Sequence, residues 1–148
     1  MSKPKRRYQI CLEALAKNGE LSITEFKEIV HSLKEYGEVR RIKTEADFNE
    51  YPFLSHILVI CSYSSHRVGT GRLMDIAQIN NKNLIYMCKD DDNSSIKREN
   101  RNLIVIYNTN TQARKAIRDF FMALRIQEQK SEKNKEIYRN TNGFPRHD

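Results

Sequence analysis

The chain has 148 residues, of which 39% are apolar and 30% are charged, and its formal net charge is +7 at pH 7. This length predicts one domain with one core, because a compact chain of this size buries roughly 70% of the surface that it exposes when unfolded. The longest apolar runs, 57–61 and 84–88, are far shorter than the roughly 20 residues of a membrane-spanning helix. We therefore expect a folded domain with no membrane contact, located in the cytoplasm or the nucleus.

The positive charge is concentrated at the two ends of the chain. Residues 1–7 carry +4 and residues 129–148 carry +2, which leaves +1 for residues 8–128. We predict a basic N-terminal tail over 1–7, an α/β domain over 8–126 and a polar, disordered C-terminal tail over 127–148. The tails can be solvated surface, or they can contact nucleic acid or an acidic protein, and the sequence leaves these alternatives open.

The first half of the domain predicts two strand-and-helix units. Apolar and polar residues alternate over 8–12, which predicts a strand. An amphipathic helix follows from the capping box at residues 22–25, and Gly37 is expected to end it by taking the left-handed backbone conformation after the cap. Thr44 caps the next helix, and Pro52 is expected to limit that helix to about two turns.

The rest of the domain continues the alternation. The remaining predicted elements are strands over 39–42, 56–62, 83–88 and 103–107, a helix over 70–80 and a long helix from Thr111. Several of these strands are apolar without alternation, as is typical of parallel strands covered on both faces. Residues 89–102 predict a polar surface loop with a short helix. The sequence thus predicts a Rossmann-like open five-stranded parallel sheet with helices on both faces.

The cysteines and histidines suggest no metal or redox chemistry. Cys11, Cys61 and Cys88 lie inside apolar runs without a Cys-x-x-Cys spacing, so we expect buried free thiols. The spacing of His31 and His147 assembles no histidine–carboxylate cluster. We therefore expect neither a metal nor a cofactor.

The loop over 63–71 carries the most informative local pattern, because it follows a buried strand and opens a helix. Gly69 and Gly71 let the backbone approach an anion while the free N–H groups of the helix start point toward it. A dinucleotide fingerprint needs a third glycine where this chain has Met74, which disfavours NAD. The two glycines predict either a phosphate-binding loop or only a tight strand-to-helix turn.

Four segments stand out by their order and spacing, namely IVHSLKEYGEV at 29–39, SHILVI at 55–60, GTG at 69–71 and NKNLI at 81–85. Together they resemble the 2'-deoxynucleoside 5'-phosphate N-hydrolase branch of the nucleoside 2-deoxyribosyltransferase superfamily, over residues 8 to about 124. The resemblance implies a Rossmann-like fold, a homodimer and a deoxynucleotide ligand. It also implies N-glycosidase chemistry, in which a carboxylate stabilises or captures a sugar with oxocarbenium character.

The carboxylate that this chemistry requires is missing from its usual place. The resemblance implies a glutamate two residues after the second glycine, and this chain has Leu73 there. Asp75 is the nearest acid, but two residues along a helix rotate a side chain by about 200°, so it should point away. Asp47 lies within one residue of the family's sugar-binding aspartate. Asp75 and Asp47 are the candidate catalytic residues, and Glu13 is a further carboxylate to consider.

The resemblance also suggests how a phosphate would be held. Lys17 lies near the family's first-loop arginine, Arg67 stands where a serine is expected, and Ser94 matches the serine that the neighbouring subunit lends to the phosphate. The candidate phosphate- or nucleotide-binding residues are Lys17, Arg67, Gly69, Thr70, Gly71 and Ser94.

Three functions follow from this sequence. The leading hypothesis is a divergent N-hydrolase-like pseudoenzyme that binds a nucleotide or another phosphorylated ligand with weak or lost glycosidase activity. The first alternative is an active N-hydrolase that uses another carboxylate. The second is a structural or adaptor protein that binds a partner through its surface and basic tails.

Overall fold

A computed structural model describes residues 8–15, 23–62, 72–90 and 92–141 of the chain. In chain order the elements are β1 (Tyr8–Leu15), α1 (Ile23–Lys34), β2 (Gly37–Arg41), α2 (Glu45–Leu54), β3 (Ile57–Ser62), α3 (Arg72–Ile79), β4 (Asn83–Lys89), β5 (Ser95–Glu99), β6 (Asn102–Tyr107) and α4 (Asn110–Thr141). The predicted alternation of strands and helices is confirmed.

The strands form one sheet in the order β2-β1-β3-β4-β6-β5. All neighbouring pairs are parallel except β5 with β6, which is antiparallel. The open α/β architecture is as predicted, but the sheet has six described strands, so the predicted number of five is wrong. Strand order reverses at β1, which has β2 on one side and β3, followed by the later strands, on the other.

The additional strand, β5, lies where we predicted a loop with a short helix. Every residue of β5 is exposed, and the strand contains Lys97 and Arg98, so it shows no apolar alternation. The two-residue connection to β6 contains Asn100 with a φ of 54°, a left-handed conformation that asparagine adopts more readily than most residues. Turn chemistry rather than hydrophobic pattern therefore marks this hairpin.

One face of the sheet packs against α1 and α4. Ile29 and Leu33 of α1 are buried, as the amphipathic spacing predicts, and Ala113, Ile117 and Phe121 of α4 are buried beside them. The ring of Phe121 stacks on Tyr36, with 4.7 Å between centroids. This side contains the larger of the two apolar clusters.

The other face packs against α2 and α3 and contains a smaller cluster. Its buried members are Cys11, Ile42, Leu58, Ile60, Leu73, Ala77, Leu84, Tyr86 and Cys88. Because this cluster covers the second face of β1, Cys11 is fully buried and Glu13 is only 8% exposed. The alternating pattern of β1 is typical of a strand with one wet face, yet both of its faces are covered. The three cysteines are buried and free, as predicted.

The start of α2 is fixed by a capping box, in which the Thr44 hydroxyl accepts a hydrogen bond from the backbone N–H of Asp47. The helix runs for ten residues, so the predicted limit at Pro52 is wrong. Pro52 lies in the last turn, so only two helical residues follow it, and its ring is buried. Lys82 supports this end from the α3–β4 connection, because its ammonium donates to the Ser55 carbonyl at 2.6 Å.

Gly37 serves a purpose different from the predicted left-handed cap. It is the first residue of β2 and pairs with Tyr8 of β1. A Cβ atom at this position would lie 2.1 Å from the Tyr8 carbonyl oxygen. Close approach of two strands, rather than a positive φ, therefore requires glycine here.

Helix α4 begins at a second capping box, in which the Gln112 side chain accepts hydrogen bonds from the backbone of Asn108 and Thr109. The helix continues past the predicted domain boundary at 126 to Thr141. The Tyr8 hydroxyl, which donates to Glu128 at 2.7 Å, ties this continuation to the start of β1. No helix in the described ranges is both long enough and apolar enough to cross a membrane.

Candidate functional site

The reversal of strand order between β1 and β3 defines the candidate site. In open α/β sheets the crevice that binds ligands lies beyond the carboxyl ends of the strands at this point. β1 ends at Leu15 and β3 ends at Ser62, and these two residues are paired in register. The predicted residues Lys17, Arg67, Gly69, Thr70 and Gly71 belong to the connections that follow these strands and lie outside the described residues.

Glu13 is the titratable group nearest this edge on β1. One of its carboxylate oxygens accepts a hydrogen bond from the backbone N–H of Leu73, at 3.3 Å, in the first turn of α3. Burial raises the pKa of the Glu13 carboxyl, while the Leu73 hydrogen bond and the charge of Arg72 act in the opposite direction. The carboxyl is thus held between the sheet and the positive end of a helix, and it retains its proton more strongly than an exposed glutamate does.

Leu73 lies where the resemblance implies a catalytic glutamate. Its side chain is completely buried in the smaller apolar cluster. Asp75, two residues further along α3, is exposed, so the predicted opposite orientation of these two positions is confirmed. A buried leucine offers no charge to a sugar, and an ionised side chain in its place would lose its hydration inside the apolar cluster.

Arg72 joins the first turn of α3 to α2. Its guanidinium forms an ion pair with Glu45, at 2.5 Å, and lies over the ring of Phe48, 4.0 Å from the centroid. The side chain is half exposed, so the ion pair itself contributes little to stability. Arg72 matters through its position, because it places a positive charge next to the backbone N–H of Leu73, which donates to Glu13.

The other predicted residues have structural roles or lie on the surface. The Asp47 carboxylate accepts hydrogen bonds from the backbone N–H groups of Lys43 and Thr44, at 2.8 and 3.0 Å. The bond from Lys43 is the main reason that the pKa of Asp47 is lowered. Asp47 is thus engaged in capping α2, and Ser94 is exposed in the connection that precedes β5.

The thiols beneath the edge are not nucleophiles. Burial raises the pKa of Cys11 to about 12, and the repulsion of Glu13 adds to this effect. Burial likewise raises the pKa of Cys88 to about 11. Thiols in this range carry almost no thiolate at neutral pH, so Cys11 and Cys88 act as small apolar groups.

The sequence ranks Glu13 last among the three candidate carboxylates. The structure nevertheless places it near the carboxyl edge of the sheet. The signal that could have identified it is positional. A charged residue near the carboxyl end of a strand covered on both faces must have a polar partner or a ligand. That inference requires knowing that both faces of β1 are covered. The alternation of apolar and polar residues in β1 instead suggests one exposed face.

No family model, no curated protein and no solved structure matches the chain. Among the described residues, no group of three side chains comes together as a metal site would require. Fold and site together define a class: an α/β protein with an open, mostly parallel sheet whose strand order reverses at β1, and with a buried carboxyl two residues before the end of that strand.

Proposed function

We propose that this chain is a divergent relative of the 2'-deoxynucleoside 5'-phosphate N-hydrolases that binds a deoxynucleoside monophosphate, or a similar phosphorylated ligand, with weak or lost glycosidase activity. The reversal of strand order between β1 and β3 supports this, because it creates a crevice where such folds bind their ligands. In the sequence, Gly69 and Gly71 immediately precede α3, where a glycine pair favours phosphate binding. As in the family it resembles, we propose that the chain acts as a homodimer.

The observation that carries this proposal is the burial of Leu73. N-glycosidase chemistry needs a carboxylate beside the anomeric carbon, where positive charge develops. At the matching position this chain has an apolar side chain that is fully enclosed by the core. A ligand can still bind at the edge, but the group that would promote cleavage is absent from that position.

A second candidate is an active N-hydrolase in which Glu13 provides the carboxylate. Its location two residues before the end of β1, with its carboxylate bonded to the first turn of α3, favours this candidate over Asp75, which is exposed, and Asp47, which caps a helix. Glu13 would have to be ionised to stabilise the sugar, so its raised pKa predicts that base release by this route increases toward higher pH.

The decisive experiment combines a binding and an activity measurement on the whole chain. The protein is incubated with each of the common deoxynucleoside monophosphates, free base is measured by chromatography, and melting curves are recorded at millimolar ligand. We expect no base release, and a melting temperature raised by the monophosphates but not by the corresponding deoxynucleosides. Identical melting curves with and without monophosphate would exclude the binding proposal.

Two variants separate the candidates if base is released. Glu13→Gln and Asp75→Asn each remove one carboxylate, but of the two only Glu13 is buried, with its carboxylate bonded to the first turn of α3. Release that is abolished by Glu13→Gln and retained by Asp75→Asn would establish the second candidate. Neither release nor binding would favour an adaptor that acts through its surface and tails.

A further inference from the structure

A groove separate from the crevice lies between α1 and α4. It encloses about 350 Å³ and is lined by Lys27, Glu28, His31 and Arg114. Because α1 and α4 each follow a parallel strand, their first turns lie toward the carboxyl edge of the sheet, on the face opposite to α2 and α3. The groove is therefore open to solvent at the same end of the molecule as the crevice but on another side.

Two of the four lining side chains, Lys27 and Arg114, carry a positive charge. Lys27 and His31 are four residues apart on α1 and so share one face of that helix, while Arg114 approaches from α4. Within the described residues, none of these three side chains forms an ion pair. Unpaired cations that converge from two helices favour an anionic ligand.

Glu28 offsets one of these two positive charges, and its carboxylate is bonded to the start of α4. One oxygen accepts a hydrogen bond from the side-chain amide of Asn110, the first residue of α4. The positive end of the α4 dipole favours a carboxylate in this place. The other carboxylate oxygen has no hydrogen bond within the described residues, and it can accept one from a ligand hydroxyl.

We propose that this groove binds a sugar phosphate. Lys27 and Arg114 supply two positive charges against the single negative charge of Glu28, and a guanidinium can hold two phosphate oxygens at once. The volume exceeds that of a phosphate ion and lies within the range of small-molecule sites, so it also holds the sugar. The described lining contains no phenylalanine, tyrosine or tryptophan on which a nucleobase would stack, which favours a sugar phosphate over a nucleotide.

Titration of the isotopically labelled whole chain with ribose 5-phosphate, followed by NMR, tests this proposal. We expect saturable shifts at the amides of 27–31 and 110–114 with a Kd of about 1 mM, and none with ribose. Arg114→Gln should weaken binding about tenfold, which is the loss expected for one charge-assisted contact. Arg118→Gln is the matched control, because Arg118 is an exposed α4 arginine beside Asp119 and does not line the groove.

Four outcomes would overturn the proposal. The first is no saturable shift with ribose 5-phosphate, and the second is equal weakening of its binding by Arg114→Gln and Arg118→Gln. The third is that inorganic phosphate binds as tightly as ribose 5-phosphate. The fourth is that a phosphoserine peptide binds more tightly than ribose 5-phosphate. Unchanged melting curves of the two variants ensure that lost binding is not lost folding. With a deoxynucleoside monophosphate, NMR shifts confined to the amides of 72–79 would indicate binding near α3 rather than in the groove. The groove proposal and the proposed function can therefore fail independently.

Discussion

The two helix layers that cover the sheet differ in what they bury. The layer of α1 and α4 encloses aromatic side chains, with Phe121 in contact with Tyr8, Tyr36 and Phe120. The layer of α2 and α3 is built from shorter helices and encloses mainly aliphatic groups and two thiols, with Tyr86 as its fully buried ring, and Glu13 is bonded to the first turn of α3. The first layer supplies most of the apolar burial, whereas the second positions the polar groups of the crevice. Substitutions in the two layers should therefore differ in their effect on stability.

The largest loss is expected from Phe121→Ala in the α1 and α4 layer. Phe121 is fully buried, so the substitution removes an aromatic side chain and leaves a cavity among three rings. We expect the free energy of unfolding in urea to fall by about 4 kcal/mol. Met122→Ala, at a half-exposed neighbouring position, should cost less than about 0.5 kcal/mol. Similar losses for both variants would mean that this layer is packed differently.

A smaller loss is expected from Leu73→Ala in the other layer. Leu73 is also fully buried, but fewer atoms are removed and the shorter α3 can relax toward the sheet. We expect a decrease of about 3 kcal/mol in the free energy of unfolding. Asp75→Ala on the exposed face of α3 is the control and should change stability little. A loss below about 1 kcal/mol would show that Leu73 is not enclosed as described.

The parts of this fold that sequence predicted are those specified by apolar pattern. The spacing of Ile29 and Leu33 predicts the buried stripe of α1, and helical rotation places Leu73 and Asp75 on opposite sides of α3. Both depend only on periodicity along one element. Free, buried cysteines follow in the same way from the apolar runs that contain them.

The parts that sequence did not predict depend on contacts between elements. Gly37 is explained by the approach of Tyr8 from a neighbouring strand, and Pro52 lies inside α2 with its ring buried, two residues before the helix ends. Strand β5 has no apolar pattern at all and is specified by the turn at Asn100. Glu13 belongs to the same group, because its burial results from the central position of β1.

The capping box of α2 should contribute an intermediate amount. Thr44→Ala removes the hydroxyl that accepts a hydrogen bond from the backbone of Asp47. We expect a loss of about 1 kcal/mol, with faster hydrogen exchange in the first turn of α2 and unchanged exchange in α1. Thr44→Ser, which retains the hydroxyl, is the matched control. Equal exchange in both variants would contradict a capping role for this side chain.

The smallest effect is a pH-dependent one at Glu13. Burial raises the pKa of its carboxyl above the ordinary value of 4.5, so the folded state holds this proton more strongly than the unfolded state does. The stability contributed by the protonated carboxyl is complete below 4.5 and is lost as the pH rises through the folded-state pKa.

Glu13→Gln removes this titration while keeping an oxygen that can accept the Leu73 hydrogen bond. The stability of the variant relative to the natural chain should therefore increase as the pH rises above 4.5 and then level off. Urea unfolding between pH 4 and about 8 measures this difference, and Asp75→Asn, at an exposed position on α3, should show no such rise. A difference that decreases with pH would mean that the helix end and Arg72 outweigh burial and lower the pKa of Glu13. The ionised carboxyl would then stabilise the start of α3, and burial in the α2 and α3 layer would not be what controls its titration.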